Sequence, residues 1–180
     1  MKSLLLTNEY PPNIYGGAGI HVEYLSRELA KLCEVEVRCF GDQDLPDQNP
    51  SVFGVEYEKP DSSAPPALQS VFATLNKCLQ FNGRNIDADV VHVHTWYTHF
   101  AGILAHLNYG IPLALTVHSL EPLRPWKREQ LGGGYDFTLW LEKTAIEMAG
   151  AVIAVSRETR EDILRLFDVD ESKVPVIQRN

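Results

Sequence analysis

Residues 89–117 read DVVHVHTWYTHFAGILAHLNYGIPLALTV. Asp89–His94 is a short apolar run of strand length, Phe100–Tyr109 carries apolar residues at helical spacing, and Leu113–Val117 is a second short apolar run. Runs without polar alternation suit strands buried on both faces, which is the condition of a parallel sheet covered by helices. The stretch is therefore a βαβ unit.

The same alternation extends in both directions. Toward the amino terminus, Ser3–Thr7 predicts a strand, Ala18–Leu32 a helix with Val22, Leu25, Leu29 and Leu32 on one face, and Val35–Phe40 another strand. Gly41 to Pro66 is rich in proline, aspartate and glutamine, with one short strand expected at Val55–Tyr57 before a helix over Ala67–Phe81. Toward the carboxyl end, Phe137–Ala149 predicts a helix with Phe137, Leu141, Ala145 and Met148 inward and Trp140 in the core. Ala151–Val155 is a further strand, Ser156 caps a helix over Arg157–Phe167, and Val174–Ile177 starts one more strand. Right-handed crossovers then give an α/β fold, a Rossmann-like doubly wound parallel sheet of about six or seven strands in a single domain over residues 1–180.

Composition narrows the chemistry. Sixteen basic against twenty-four acidic side chains leave a net charge of −8, which argues against nucleic acid as a partner because phosphate backbones require a basic face. Cys33, Cys39 and Cys78 form no C-x-x-C pair and have no ligand-like spacing with histidine, so neither a disulfide framework nor a zinc site is expected. The opening MKSLLLT is too short for a signal sequence or a membrane span, and a cytoplasmic protein without membrane contact is expected.

Three segments carry site chemistry. Asn13-Ile-Tyr15-Gly16-Gly17-Ala18-Gly19 lies between the first strand and its helix, where backbone N–H groups and the helix dipole favour a phosphate; glycines there equally serve a plain turn. It is neither G-x-G-x-x-G nor a Walker loop, which removes the usual support for dinucleotide or ATP-hydrolase readings. His92 and His94 alternate on one strand face, with His94 nearer the carboxyl end and Trp96 and Tyr97 in the loop beyond. Without nearby carboxylates the pair reads as structural rather than metal-binding.

The third segment, His118–Tyr135, reads HSLEPLRPWKREQLGGGY and follows a buried strand, at the end where open α/β sheets hold their ligands. His118 is placed to hydrogen-bond a substrate hydroxyl or to orient its own loop. Arg124, Lys127 and Arg128 offer local cations for an anion, although beside Glu121 and Glu129 they also read as mixed-charge surface. Trp96 and Trp126 offer flat faces to sugar rings. There is no G-x-S-x-G elbow and no catalytic Cys–His signature.

Taken together, NEYPPNIYGGAGIHVEYL from Asn8, DVVHVHTWYTHFAG from Asp89, TVHSLEPLRPWKREQLGGGY from Thr116 and AVIAVSRETREDIL from Ala151 resemble the amino-terminal domain of GT-B glycosyltransferases. The resemblance is to the bacterial glycogen synthase-like branch and spans essentially all 180 residues. It implies a retaining, metal-independent transferase that uses ADP-glucose or UDP-glucose as substrate and no further cofactor. It also implies that Tyr15, Gly16, Gly17 and Gly19 form the donor-phosphate loop, that His118 acts beside the transferred sugar, and that Glu9, His94, Trp96, Tyr97, Glu121, Arg124, Trp126 and Lys127 line the acceptor crevice. Larger synthases carry Lys-Thr-Gly-Gly where this chain has Ile14-Tyr15-Gly16-Gly17, and Asp where it has Thr95. Both departures agree with a shorter-chain branch, some of whose members glucosylate glucose 1-phosphate instead of extending an α-glucan.

The resemblance further implies a carboxyl-terminal, donor-binding domain that is absent here, and hence a truncated chain inactive alone. Exposed sheet edges make a homo-oligomer an expected partner state. The rival readings are a non-catalytic carbohydrate- or nucleotide-binding module, and a GT-B transferase with another donor sugar.

Overall fold

The computed structural model describes residues 1–56 and 63–177. Its sheet has seven strands: β1 (Lys2–Thr7), β2 (Glu34–Phe40), β3 (Asp44–Leu45), β4 (Ser51–Val55), β5 (Val90–His94), β6 (Leu113–Val117) and β7 (Ala151–Ala154). They lie in the order β3-β4-β2-β1-β5-β6-β7, and every pairing is parallel except that of β3 with β4. The chain winds one way from β1 through β2 and the other way from β5 through β6 and β7. The switch between the two halves falls between β1 and β5, and the carboxyl ends of those strands open the crevice characteristic of doubly wound sheets.

The helices are α1 (Gly17–Leu29), α2 (Pro66–Gly83), α3 (Trp96–Tyr109), the short α4 (Lys127–Leu131), α5 (Gly134–Met148) and α6 (Arg157–Leu166). Strand alternation divides the core in two. Leu4, Leu6, Val91 and Val93 face a larger cluster with Phe81 of α2, Ile103 of α3 and Leu141 and Ile146 of α5. Leu5, Val35 and Val37 face a smaller one with Val22 of α1. His92 lies beside Leu5 in the parallel register, so the two histidines of β5 point to the α1 side of the sheet.

One buried cation ties α2 to the sheet. Arg38 on β2 donates to Glu36 Oε1 at 2.7 Å, to the carbonyls of Arg84 at 2.9 Å and Asn85 at 2.6 Å, and to that of Phe81. These partners absorb carbonyls at a helix end that otherwise lacks them, and they satisfy a guanidinium that is 2% exposed.

Several boundaries differ from the sequence expectation. Helix α1 ends at Leu29, and Leu32, expected on its inward face, stands 84% exposed in the turn before β2. The strand expected at Val55–Tyr57 is β4, Ser51–Val55; Tyr57 lies outside the described residues. Helix α3 begins at Trp96 rather than Phe100, because the Thr98 hydroxyl bonds the carbonyls of Leu6 and His94 and starts the helix directly off the strand. Trp140 is 56% exposed instead of buried, whereas Leu141 and Ala145 of the same helix are fully buried. Val174–Ile177 forms a single parallel bridge from Val176 to Ala154 rather than a full strand. Ser156 caps α6 as expected, accepting the Thr159 N–H at 3.1 Å. Among the described residues no helix is long and apolar enough to cross a membrane.

Candidate active site

The glycine loop after β1 closes on its own acid. Glu9 Oε2 accepts the backbone N–H of Tyr15 at 2.9 Å and of Gly16 at 2.8 Å, at the entrance to α1, where no side chain caps the helix. The carboxylate thus sits at the positive helix end, a favourable place for any anion. Gly19 is required by this packing. A Cβ there would lie 2.8 Å from Glu9 Cβ and 3.2 Å from Ile14 Cγ2. The residues assigned to donor phosphate are therefore assembled as one loop, but two of its amides are taken by Glu9.

Across the switch point, Thr95 holds φ +70° and ψ 158°, a conformation costing on the order of 1–3 kcal/mol for a residue with a side chain. Its hydroxyl donates to Asn8 Oδ1 at 3.1 Å, joining the loop after β5 to the loop after β1. The position that departs from the larger synthases is therefore a strained clamp at the crevice floor.

Beside it, His94 and His118 meet. His94 Nδ1 lies 3.4 Å from His118 Nε2, and His21 of α1 approaches both, with ring centroids 5.0 Å from His118 and 5.7 Å from His94. His92, stacked 4.3 Å behind His94, turns its Nε2 to the Thr116 hydroxyl at 2.8 Å and takes no part in the crevice. Burial holds His92 down to about 3 and His94 well below the ordinary imidazole range, so both are neutral at pH 7. The sequence brought out His94 and His118 but missed His21, whose only signal was its place two to five residues beyond the loop glycines on the first turns of α1.

The segment after β6 is not one loop. Glu121–Leu123 makes a 3-10 turn, Lys127–Leu131 is α4, and the glycines turn the chain into α5. Gly132 has φ +52°, which favours glycine, and a Cβ on Gly134 would lie 2.9 Å from Val71 Cγ2 of α2. These glycines serve helix packing.

Glu121 and Lys127, both expected in the acceptor crevice, are instead buried against each other. Lys127 Nζ donates to Glu121 Oε1 at 2.6 Å, Thr138 donates to Glu121 Oε2 at 3.0 Å, and the Tyr135 hydroxyl donates to the Glu121 carbonyl at 2.8 Å. The Glu121 N–H in turn bonds Glu142 Oε2 at 2.8 Å. A buried charge must be paired, and this pairing consumes both groups. Trp96 is likewise in the core at 5% exposure, stacked on Tyr97 at 4.4 Å with Lys127 Nζ 5.6 Å from its ring, so it presents no face to a sugar. Arg124 and Trp126 remain accessible, Trp126 at 55%.

A cavity of about 700 Å³ opens beside the switch point, between the carboxyl ends of β1, β2 and β4 and helix α2. Its lining includes Asn8, Asn13, Tyr15, Asp42, Ser70, Thr74, Lys77 and Tyr97. Lys77 Nζ stands 4.4 Å from the Phe40 ring, and burial lowers its pKa. This size and polarity suit a small, heavily hydroxylated ligand. Tyr97 was expected in the acceptor crevice and Tyr15 in the donor-phosphate loop; Lys77 was expected in neither, since its segment was read only as a helix over Ala67–Phe81.

An α/β sheet with its switch-point crevice, a glycine loop opening α1 and a histidine at the end of β6 give the chain the Rossmann-like form of one half of the GT-B architecture. A family model described as Glycosyltransferase Family 4 matches residues 15–179, and the chain belongs to that family. It is 48% identical over 182 residues to an alpha-maltose-1-phosphate synthase of Mycolicibacterium smegmatis, covering 99% of this chain and 44% of that protein. It is 25% identical over 201 residues to a glycogen synthase of Mycobacterium tuberculosis, covering 99% of this chain and 48% of that one. The fold matches sucrose-phosphate synthase from Thermosynechococcus elongatus with a TM-score of 0.73 at 16% identity, over 99% of this chain and 48% of that one. The chain thus spans less than half the length of the relatives it matches.

Proposed function

We propose that this chain is the acceptor-side domain of a retaining glucosyltransferase that moves an α-glucosyl group from ADP- or UDP-glucose to glucose 1-phosphate, giving maltose 1-phosphate. The observation that carries the reading is the cavity beside the switch point, with the cation Lys77 on its α2 wall. The identity of 48% to a maltose-1-phosphate synthase against 25% to a glycogen synthase favours the sugar-phosphate acceptor over a glucan.

In this reading the acceptor phosphate pairs with Lys77 and not with Lys127, whose charge Glu121 takes. Asn8, Asn13 and Thr74 hold sugar hydroxyls. The 4-hydroxyl of the acceptor attacks the anomeric carbon of the donor, the bond to the diphosphate breaks, and the proton leaves with the diphosphate. His118 orients the transferred ring by a hydrogen bond to a hydroxyl, and the positive end of α1 opposes charge growing on the leaving group. A second, donor-binding domain supplies the remaining cations, and this domain alone does not transfer sugar.

Calorimetric titration of the chain with glucose 1-phosphate and with maltoheptaose tests the acceptor assignment. Saturable binding of the sugar phosphate, weakened at least about tenfold by Lys77→Met, is expected. Tighter binding of the glucan, or sugar-phosphate binding indifferent to Lys77→Met, overturns it.

A further inference from the structure

The crevice gathers three histidines, of which the proposed glucosyl transfer uses only His118. One ring nitrogen from each of His21, His94 and His118 comes within 4.8 Å of the others, and one pair, His94 Nδ1 and His118 Nε2, stands at 3.4 Å. Tetrahedral zinc with Zn–N bonds of about 2.0–2.1 Å separates its ligand nitrogens by about 3.3–3.4 Å, so one edge of such a site is already set. As a hydrogen bond, the same contact is at the long limit. His94 is fully buried, and its Nε2 has no hydrogen-bond partner among the described residues. Burial fixes this ring with its Nδ1 facing His118.

We propose that His21, His94 and His118 form a binding site for one divalent cation of the zinc and cobalt class, with its fourth position open toward the crevice. The ligand set selects the metal. Three imidazoles without a carboxylate suit borderline-soft ions and disfavour magnesium and calcium, which require oxygen donors. The scaffold suits it as well. His94 and His118 end adjacent parallel strands, and His21 sits on the helix packed over that sheet face, so three separate elements converge. The remaining nitrogen separations, at most 4.8 Å, involve the partly exposed His21 and His118 rings.

The consequence for catalysis rests on the proposed function. A cation held by His118 occupies the group assigned to the transferred sugar, so the ion is an inhibitor and not a cofactor.

Cobalt titration of the 180-residue chain reads the site directly and does not depend on transfer. Wild type is expected to develop the strong visible bands of four-coordinate cobalt, saturating near one equivalent and displaced by zinc, with magnesium without effect. His21→Gln, checked as folded by circular dichroism, is expected to weaken cobalt binding at least about tenfold, and His106→Gln, on the far end of α3, to leave it unchanged. Zinc should also raise the thermal midpoint of wild type in a concentration-dependent way, a readout that needs no variant. Only the weak bands of six-coordinate cobalt, an unchanged affinity in folded His21→Gln, or no zinc-dependent rise in the midpoint overturns the proposal.

Discussion

Glu9 Oε2 sits 2.8 Å from the backbone nitrogen of Gly16, so a carboxylate of the protein itself occupies the mouth of α1. The shape of the glycine loop is therefore held by an internal anion. Gly19 supports that arrangement from below, its Cα lying too close to Glu9 for any side chain. Helix propensity alone makes Gly19→Ala stabilising by about 1 kcal/mol. Collision with Glu9 reverses the sign, and chemical denaturation should show a net loss of about 1–2 kcal/mol. A stabilised Gly19→Ala variant would show that the loop yields freely.

Lys127 should behave as a structural residue. Removing one member of a buried ion pair strands the other, at a cost of about 3–5 kcal/mol. Lys127→Ala is expected to lower the thermal midpoint by about 10 °C, whereas Arg124→Ala, on a side chain 38% exposed, should shift it little. Equal midpoints for the two variants would return Lys127 to the crevice.

Glu142 gives the fold a pH dependence of known sign. Burial pushes its carboxyl up from 4.5 to about 8, against the Glu121 N–H bond that favours the charged form. The folded state thus keeps a proton that the unfolded chain releases above about pH 4.5, so this contribution to stability falls as pH rises toward 8 and is flat beyond. The buried histidines act oppositely. His99, held down to about 3, stays neutral in the fold, and its contribution is full above about 6.5 and is lost as pH falls toward 3. Glu142→Gln should therefore gain stability relative to wild type between pH 5 and pH 8, by about 1 kcal/mol or more, as urea unfolding at each pH would read. A constant difference across that range would contradict the assignment.

Lys77 is the residue on which the acceptor reading depends. In the full-length transferase, Lys77→Met is expected to raise KM for glucose 1-phosphate at least about tenfold while the chain keeps its fold, since removal of one phosphate contact is a binding loss. Arg124→Ala is the comparison; a larger effect from Arg124 would move the phosphate to the other side of the crevice.

The sheet was legible because its strands are short apolar runs separated by helical spacing, and parallel burial leaves little else for segments such as Leu113–Val117 and Val90–His94 to be. Boundaries failed where a side chain, not periodicity, set them: Thr98 starts α3 at Trp96, and the sequence gives no sign of it. Strand ends placed His94 and His118 at the carboxyl edge of the sheet, because the carboxyl end of a parallel strand is a position in the sequence. Glu121 and Lys127 were misplaced because the charges in a glycine-rich segment look solvated, and only the packing of α4 and α5 shows that they neutralise each other. His21 and Lys77 reach the crevice through helix docking, which depends on long-range contacts that no local pattern encodes.

The most direct measurement is product analysis of the full-length protein supplied with isotopically labelled ADP-glucose and glucose 1-phosphate. The account predicts a labelled disaccharide phosphate with an α-1,4 linkage and its reducing-end phosphate retained. Label appearing only in glucan chains, or no transfer to glucose 1-phosphate from either ADP-glucose or UDP-glucose, would contradict it.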